Sequence, residues 1–140
     1  MLDTAHLHPM LVHFPIALVL AGFVADIASA IFKKEVCLSK AGLYLLLAGT
    51  VAAVVTWLSG ALFTSEMEGD AGRMRETHEM FASLTTVFLI ITASLRLYTE
   101  IRQPAGTLFK KLVFGLYGLS AVSVAITGFY GGTLVYNYLM

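Results

Sequence analysis

Residues 8–32 read H-P-M-L-V-H-F-P-I-A-L-V-L-A-G-F-V-A-D-I-A-S-A-I-F, and this stretch decides the class of the fold. From Pro9 to Phe32 the ionisable side chains are only those of His13 and Asp26. A helix of about 20 mostly apolar residues is long enough to cross the hydrocarbon core of a bilayer. The stretch therefore predicts a transmembrane helix with a histidine near one end and an aspartate near the other.

Three later stretches, at 41–63, 77–95 and 112–136, share this length and apolar character. The chain is 58% hydrophobic and 13% charged, whereas roughly a quarter of the residues in a soluble domain are charged. The connections between the stretches are too short for a second domain. We therefore predict an all-α fold, an integral membrane bundle of four transmembrane helices. It forms a single domain over residues 1–140, with its first span at about 9–32.

The basic residues predict how the bundle is oriented. Seven of the nine Lys and Arg residues lie close to the connections that follow the first and third spans. Basic connections stay on the cytoplasmic side, so both termini are expected outside. The first basic residue, Lys33, follows the apolar stretch, so this stretch is not expected to be a cleaved signal peptide. Asp26 lies close enough to Lys33 and Lys34 to pair with them at the inner interface.

Composition also limits the partners and cofactors. The net charge is zero, and the basic pairs Lys33-Lys34 and Lys110-Lys111 are isolated, which argues against nucleic acid. Cys37 is the single cysteine, so the chain has neither an intrachain disulfide nor a C-x-x-C-H haem-attachment motif. Any haem would therefore be bound non-covalently.

All four histidines, His6, His8, His13 and His78, lie on the predicted outer side. A histidine inside a bilayer is costly without a partner and is a functional candidate by default. The first and third spans run in the same direction, so His13 and His78 are expected at matched depth. His8 lies about 140° around the helix from His13 and is expected on another face. His6 is expected in solvent.

Rows of small residues follow His13 and His78 at intervals of four. They are Ala17, Ala21, Ala25 and Ser29 in the first span, and Ala82 and Thr86 in the third. Small faces let transmembrane helices approach closely, so we expect both histidines to face the bundle interior and the chain to form a homodimer through such faces. Helix packing alone explains the rows. A second interpretation is that small residues, among them Gly131 and Gly132, make room for a flat macrocycle.

The preferred interpretation is a non-covalent b-type haem near the outer leaflet, which would make the protein an electron carrier. A transmembrane haem needs one or two axial imidazoles and an apolar enclosure. We predict His13 and His78 as the axial ligands. His8 is a candidate ligand of a second haem or a supporting residue, and Gly131 and Gly132 are expected to line the pocket.

Three alternative interpretations assign other roles to the same histidines. His8, His13 and His78 could bind a transition metal ion together with the acidic loop residues Glu66, Glu68 and Asp70, which would suit a non-redox metal-binding or assembly subunit. A histidine near the interface could donate to a quinone head group. Finally, the histidines could hydrogen-bond only to backbone or to each other.

Pro15 is compatible with two different starting points for the first helix. If the first helix begins at Pro9, Pro15 lacks the N–H that would bond the Leu11 carbonyl, and a kink is expected there. If it begins near Pro15, the proline occupies the favoured first turn. The sequence leaves both open.

Several motifs carry a resemblance to a known family. They are H-P-M-L-V-H-F-P-I-A-L at 8–18, Ser59-Gly60, His78, and G-G-T-L-V-Y at 131–136. Together they resemble a family of small bacterial four-helix membrane proteins of unknown function, some of whose members are joined to Rieske-type iron–sulfur domains. The resemblance implies a bacterial inner-membrane protein with periplasmic termini and a redox partner in the respiratory chain, rather than a stand-alone enzyme. It also singles out His8, His13 and His78.

Overall fold

The computed structural model describes residues 7–32, 35–64, 67–102 and 106–138. These residues form the helices α1 (Leu7–Leu11), α2 (His13–Ile31), α3 (Val36–Phe63), α4 (Gly69–Ile101) and α5 (Thr107–Tyr138). The short α1 continues into α2, and the two together make the first span. No strand occurs in the four described ranges.

Four helical segments are long and apolar enough to cross a membrane, which confirms the predicted all-α bundle. Large apolar side chains such as Val24, Val51, Leu112 and Phe129 cover the outside of the bundle, each more than 60% exposed. Such a surface is suited to lipid rather than to water. This surface extends over α4 as well, where Val87 and Ile101 are among the exposed apolar side chains.

The third helix begins earlier than the apolar pattern predicts. The prediction places the start of this span at Thr77, but α4 begins at Gly69. Its polar first turns are held by the Arg73–Asp70 ion pair and by the Thr77 hydroxyl, which donates to the Arg73 carbonyl at 2.9 Å. His78 therefore lies within a continuous helix rather than at its start.

Pro15 removes one backbone hydrogen bond from the first span without ending the helix. Val12, between α1 and α2, keeps helical dihedral angles, and Pro15 is buried in the first turn of α2. The Leu11 carbonyl, which Pro15 cannot bond, instead accepts a hydrogen bond from the Thr56 hydroxyl of α3 at 3.3 Å. Of the two expectations for Pro15, the structure therefore favours a span that begins ahead of Pro9 and runs through Pro15.

The bundle consists of two helical hairpins, α2 with α3 and α4 with α5, which pack more extensively within each hairpin than against each other. In the first hairpin, a Cβ on Gly49 would lie 2.7 Å from Val19. In the second hairpin, buried hydroxyls pair across the helices, as in the 3.0 Å contact between Thr92 and Ser120. Close backbone approach and interhelical hydroxyl bonds are the usual means of helix association in a membrane.

The small-residue row predicted for the first span faces outward. Ala17 and Ala21 are exposed, and the buried residues of α2 are Pro15, Val19, Gly22 and Asp26. A row spaced four apart drifts by about 40° at each step around a helix of about 3.6 residues per turn. For this reason the row beginning at His13 does not coincide with the packed face.

A buried ion pair joins the hairpins near the inner end. Arg96 of α4 lies 3.0 Å from Asp26 of α2, and its guanidinium also donates to the Ser39 hydroxyl of α3 at 2.9 Å. The Asp26 side chain is 3% exposed and that of Arg96 16%. Asp26 is therefore paired across the bundle with Arg96. Lys33 and Lys34, its predicted partners, lie outside the described residues.

We predict that Asp26→Ala lowers the free energy of unfolding by about 3–5 kcal/mol, because it leaves the Arg96 guanidinium buried without its counter-ion. Thermal or denaturant unfolding in detergent measures this change. The double variant Asp26→Leu/Arg96→Leu removes both charges and should regain most of the loss. Equal instability of the single and double variants would contradict the assignment of the effect to the unpaired charge.

Candidate functional site

A cavity of about 250 Å³ lies toward the predicted outer end of the bundle. Residues of all four spans line it, so it lies between the two hairpins rather than within either one. Its walls are mostly apolar, and the two histidines that line it come from different hairpins, His8 from α1 and His78 from α4.

His8 is held by the backbone of α3. Its Nδ1 lies 3.1 Å from the Thr56 carbonyl and 2.9 Å from the Ser59 hydroxyl. Because a carbonyl oxygen only accepts, Nδ1 must carry the hydrogen and donate. The lone pair of the neutral ring is then on Nε2.

His78 is held in the same way by α5. Its Nδ1 lies 3.1 Å from the Thr127 carbonyl and donates to it. Backbone carbonyls that accept from Nδ1 are the common means of fixing the tautomer and orientation of a ligating imidazole. Both rings are thus prepared to offer Nε2 as a ligand atom.

A glycine lies beneath each ring. A Cβ on Gly60 of α3 would come within 3.0 Å of His8 Cε1, and a Cβ on Gly131 of α5 within 2.9 Å of His78 Cε1. Real Cβ atoms essentially never approach closer than 3.0 Å. The two imidazoles therefore rest directly on the backbone of the neighbouring helix, and this position depends on the absence of a side chain there.

The two rings lie beside each other at the cavity in a T-shaped arrangement. Their centroids are 6.3 Å apart and their planes are inclined by 76°. The two hairpins thus contribute equivalent halves of one site, each with a histidine, a carbonyl acceptor on the facing helix and a glycine one turn further along that helix.

The match between the hairpins extends to the inner end. Asp26 follows His8 at the same interval at which Arg96 follows His78. Corresponding residues of the two hairpins therefore lie close together at both ends of the bundle. His8 and His78 are paired at the outer end, and Asp26 and Arg96 at the inner end.

The structure corrects the predicted pairing of His13 with His78. The His13 side chain is exposed, and its Nδ1 faces the Pro9 carbonyl of its own segment at 3.0 Å. The expectation that it faces the bundle is wrong, because the packed face of α2 runs through Pro15 and Val19. His13 precedes Pro15 by two residues and so lies about 160° around the helix from it. The partner of His78 is His8.

The glycines predicted to line the pocket separate into two kinds. Gly131 contacts the His78 ring, while Gly132 also borders the cavity but has open space where a Cβ would stand. Among the described residues no group of three or more His, Cys, Asp or Glu side chains could hold a metal ion. Glu68 and Asp70 are exposed, and both His6 and Glu66 lie outside the described residues.

A seven-residue interval in the sequence marks the faces that carry the site. His78 is followed by Thr85, Thr92 and Thr99, which are all buried. His8 is followed in the same way by Pro15 and Gly22, which are also buried. An interval of seven residues corresponds to a period of about 3.5, the pattern of helices that stay in contact along their length. This interval predicts that His8 lies on the packed face of the first span, whereas the interval of four predicts His13.

The chain matches a family model at residues 4–140, nearly its whole length, with the description "Predicted membrane protein (DUF2231)". The chain belongs to this family. The family has no known function, so membership confirms a four-helix membrane protein without assigning an activity. Neither a curated protein nor a solved structure matches the chain.

We predict that Gly131→Ala destabilises the protein by about 1–3 kcal/mol, the usual cost of overpacking, because the new methyl group must displace the His78 ring. Gly132→Ala is the matched control, since its methyl group meets no atom within 4 Å. It should be neutral or stabilising, because alanine favours a helix over glycine by about 1 kcal/mol. Thermal unfolding in detergent compares the two, and equal shifts would contradict the close packing of His78 on Gly131.

Proposed function

We propose that this protein binds one b-type haem non-covalently, with His8 and His78 as axial ligands, and carries electrons near the periplasmic face of a bacterial inner membrane. The observation that carries this proposal is the pair of imidazoles, from different hairpins, whose centroids lie 6.3 Å apart at one cavity. His13 is left out of the ligand set because its side chain is exposed.

The separation of the rings suits one metal between them. With nitrogen–metal distances of about 2.0–2.1 Å, two imidazoles on opposite sides of a single ion have centroids roughly 6 Å apart. The 6.3 Å between His8 and His78 agrees with this arrangement. Both Nδ1 atoms are already bonded to carbonyls, which leaves Nε2 of each ring as the ligand atom.

The surroundings suit a macrocycle better than a bare ion. A bare transition metal in a protein takes about four or more ligands, and the cavity offers two imidazoles. A porphyrin brings four nitrogens of its own and needs only axial ligands and apolar walls. Gly60 and Gly131 let the two imidazoles lie directly on the helix backbones, which leaves the rest of the cavity to a ligand.

The bound haem would supply one-electron redox chemistry, and the residues of this chain would set where it occurs. The Thr56 and Thr127 carbonyls would orient the ligands and increase their basicity. Because the cavity lies between the hairpins at one end of the bundle, a haem bound there would exchange electrons near one membrane surface. We therefore infer a redox partner in the respiratory chain rather than a substrate converted by this chain alone.

We predict that the purified protein from haem-replete cells shows a Soret band, and that His8→Ala and His78→Ala each abolish the low-spin spectrum. His13→Ala is the matched control and should keep it, because the His13 side chain is outside the cavity. Absorption spectra and the pyridine haemochrome assay measure the result. A colourless wild-type preparation, or loss of haem in His13→Ala but not in His8→Ala, would overturn the proposal.

The single cysteine tests the proposed orientation. Cys37 is exposed at the start of α3, and we predict that a membrane-impermeant maleimide labels it only after the cells are permeabilised. The control is Glu68→Cys in a Cys37→Ser background, which should be labelled in intact spheroplasts because residue 68 precedes α4 at the outer end. The reverse pattern would place both termini in the cytoplasm.

A further inference from the structure

Arg75 borders the cavity that contains the two histidines. It lies one turn before His78 in α4, on the side of His78 that is nearer to the start of the helix at Gly69. Under the proposed orientation this is the side of the aqueous surface. Its side chain is half-buried rather than extended into solvent. A guanidinium is thus held at the mouth of an otherwise mostly apolar cavity.

No described carboxylate forms an ion pair with Arg75. The ion pairs in the described part of the chain are Arg73–Asp70 and Arg96–Asp26. Glu79, which also borders the cavity one turn further along α4, is not within ion-pair distance of Arg75. A partly desolvated cation gains most from an anion that reaches it in the same cavity.

We propose that Arg75 binds the propionate carboxylates of the haem and thereby sets which edge of the macrocycle faces the aqueous surface. This inference rests on the proposed haem. A b-type haem has two carboxylates on one edge, and a guanidinium can donate two parallel hydrogen bonds to one carboxylate. The cavity is mostly apolar, and the charged side chains on its border are those of Arg75 and Glu79, so Arg75 is the group that can receive an anion. This lining matches a ligand that is apolar across its plane and anionic at one edge.

Arg73 provides the comparison within the same helix. It is two residues away, but its side chain is 80% exposed and paired with Asp70. It does not border the cavity. Removing the charge of Arg73 therefore changes the net charge by the same amount as removing that of Arg75, without touching the proposed propionate site.

The experiment compares two porphyrins in the full-length protein, prepared free of haem in detergent. Haem and its dimethyl ester have the same macrocycle and iron, but the ester has no carboxylate. We expect Arg75→Gln to weaken the binding of haem by about tenfold or more, the range for one hydrogen bond to a charged group. Binding of the dimethyl ester should change less than twofold. Arg73→Gln should bind both porphyrins like the wild type.

The midpoint potential of the bound haem provides a second measurement. Removing a positive charge near the iron favours the ferric form, so Arg75→Gln should lower the midpoint potential, whereas Glu79→Gln should raise it. Arg75→Lys keeps the charge but not the planar pair of donors and should fall between wild type and Arg75→Gln in affinity.

Two outcomes overturn the role of Arg75 while leaving the haem proposal intact. One is unchanged haem affinity in Arg75→Gln. The other is an equal loss of affinity for both porphyrins, which would mean that Arg75 only supports the fold. If the wild type binds neither porphyrin through its histidines, the haem proposal itself fails, and this inference fails with it.

Discussion

Inside a bilayer every polar group must find its partner within the protein, because lipid offers none. This constraint accounts for most of the polar contacts in the described residues; Asp26 Oδ2 and Arg96 Nε are buried without a hydrogen-bond partner. At the outer end the imidazoles of His8 and His78 are bonded to backbone carbonyls. In the middle, hydroxyls pair between α4 and α5, and at the inner end Asp26 is bonded to Arg96. The apolar faces turn outward, and the polar groups hold the helices to one another.

The helices could be predicted from the sequence because a span is fixed by length and apolar composition, which are local properties. Residues 8–32 are sufficient to recognise the first span, and the remaining spans follow the same rule. The start of α4 was placed too late for a related reason. The turns from Gly69 to Glu76 are polar, so a search for apolar composition does not mark them, although they continue the helix that contains His78.

The histidine pair could be predicted only in part, because it depends on which face of each helix is packed. His78 was identified correctly as facing the interior, since Thr85 and the residues that follow it at intervals of seven are buried. His13 was chosen over His8 because it heads a row of small residues. The prediction fails because the packed face follows the seven-residue interval through Pro15 and Gly22, which brings His8 to the cavity and leaves His13 exposed. The same end of the span is attached to α3 through the Leu11 carbonyl, which Pro15 cannot bond and to which the Thr56 hydroxyl donates. A sequence shows that a proline removes a bond, but not which group on another helix replaces it.

The two hairpins resemble one another in their outer contacts yet carry opposite charges at the corresponding inner positions. Had both hairpins an aspartate there, or both an arginine, like charges would meet in a buried place and drive the inner ends apart. Because the α2–α3 hairpin carries Asp26 and the α4–α5 hairpin carries Arg96, the charges favour the pairing of one hairpin with the other over the pairing of two identical hairpins. The opposite charges of Asp26 and Arg96 thus make the two hairpins complementary at the inner end, while each contributes a histidine, a carbonyl and a glycine at the outer end.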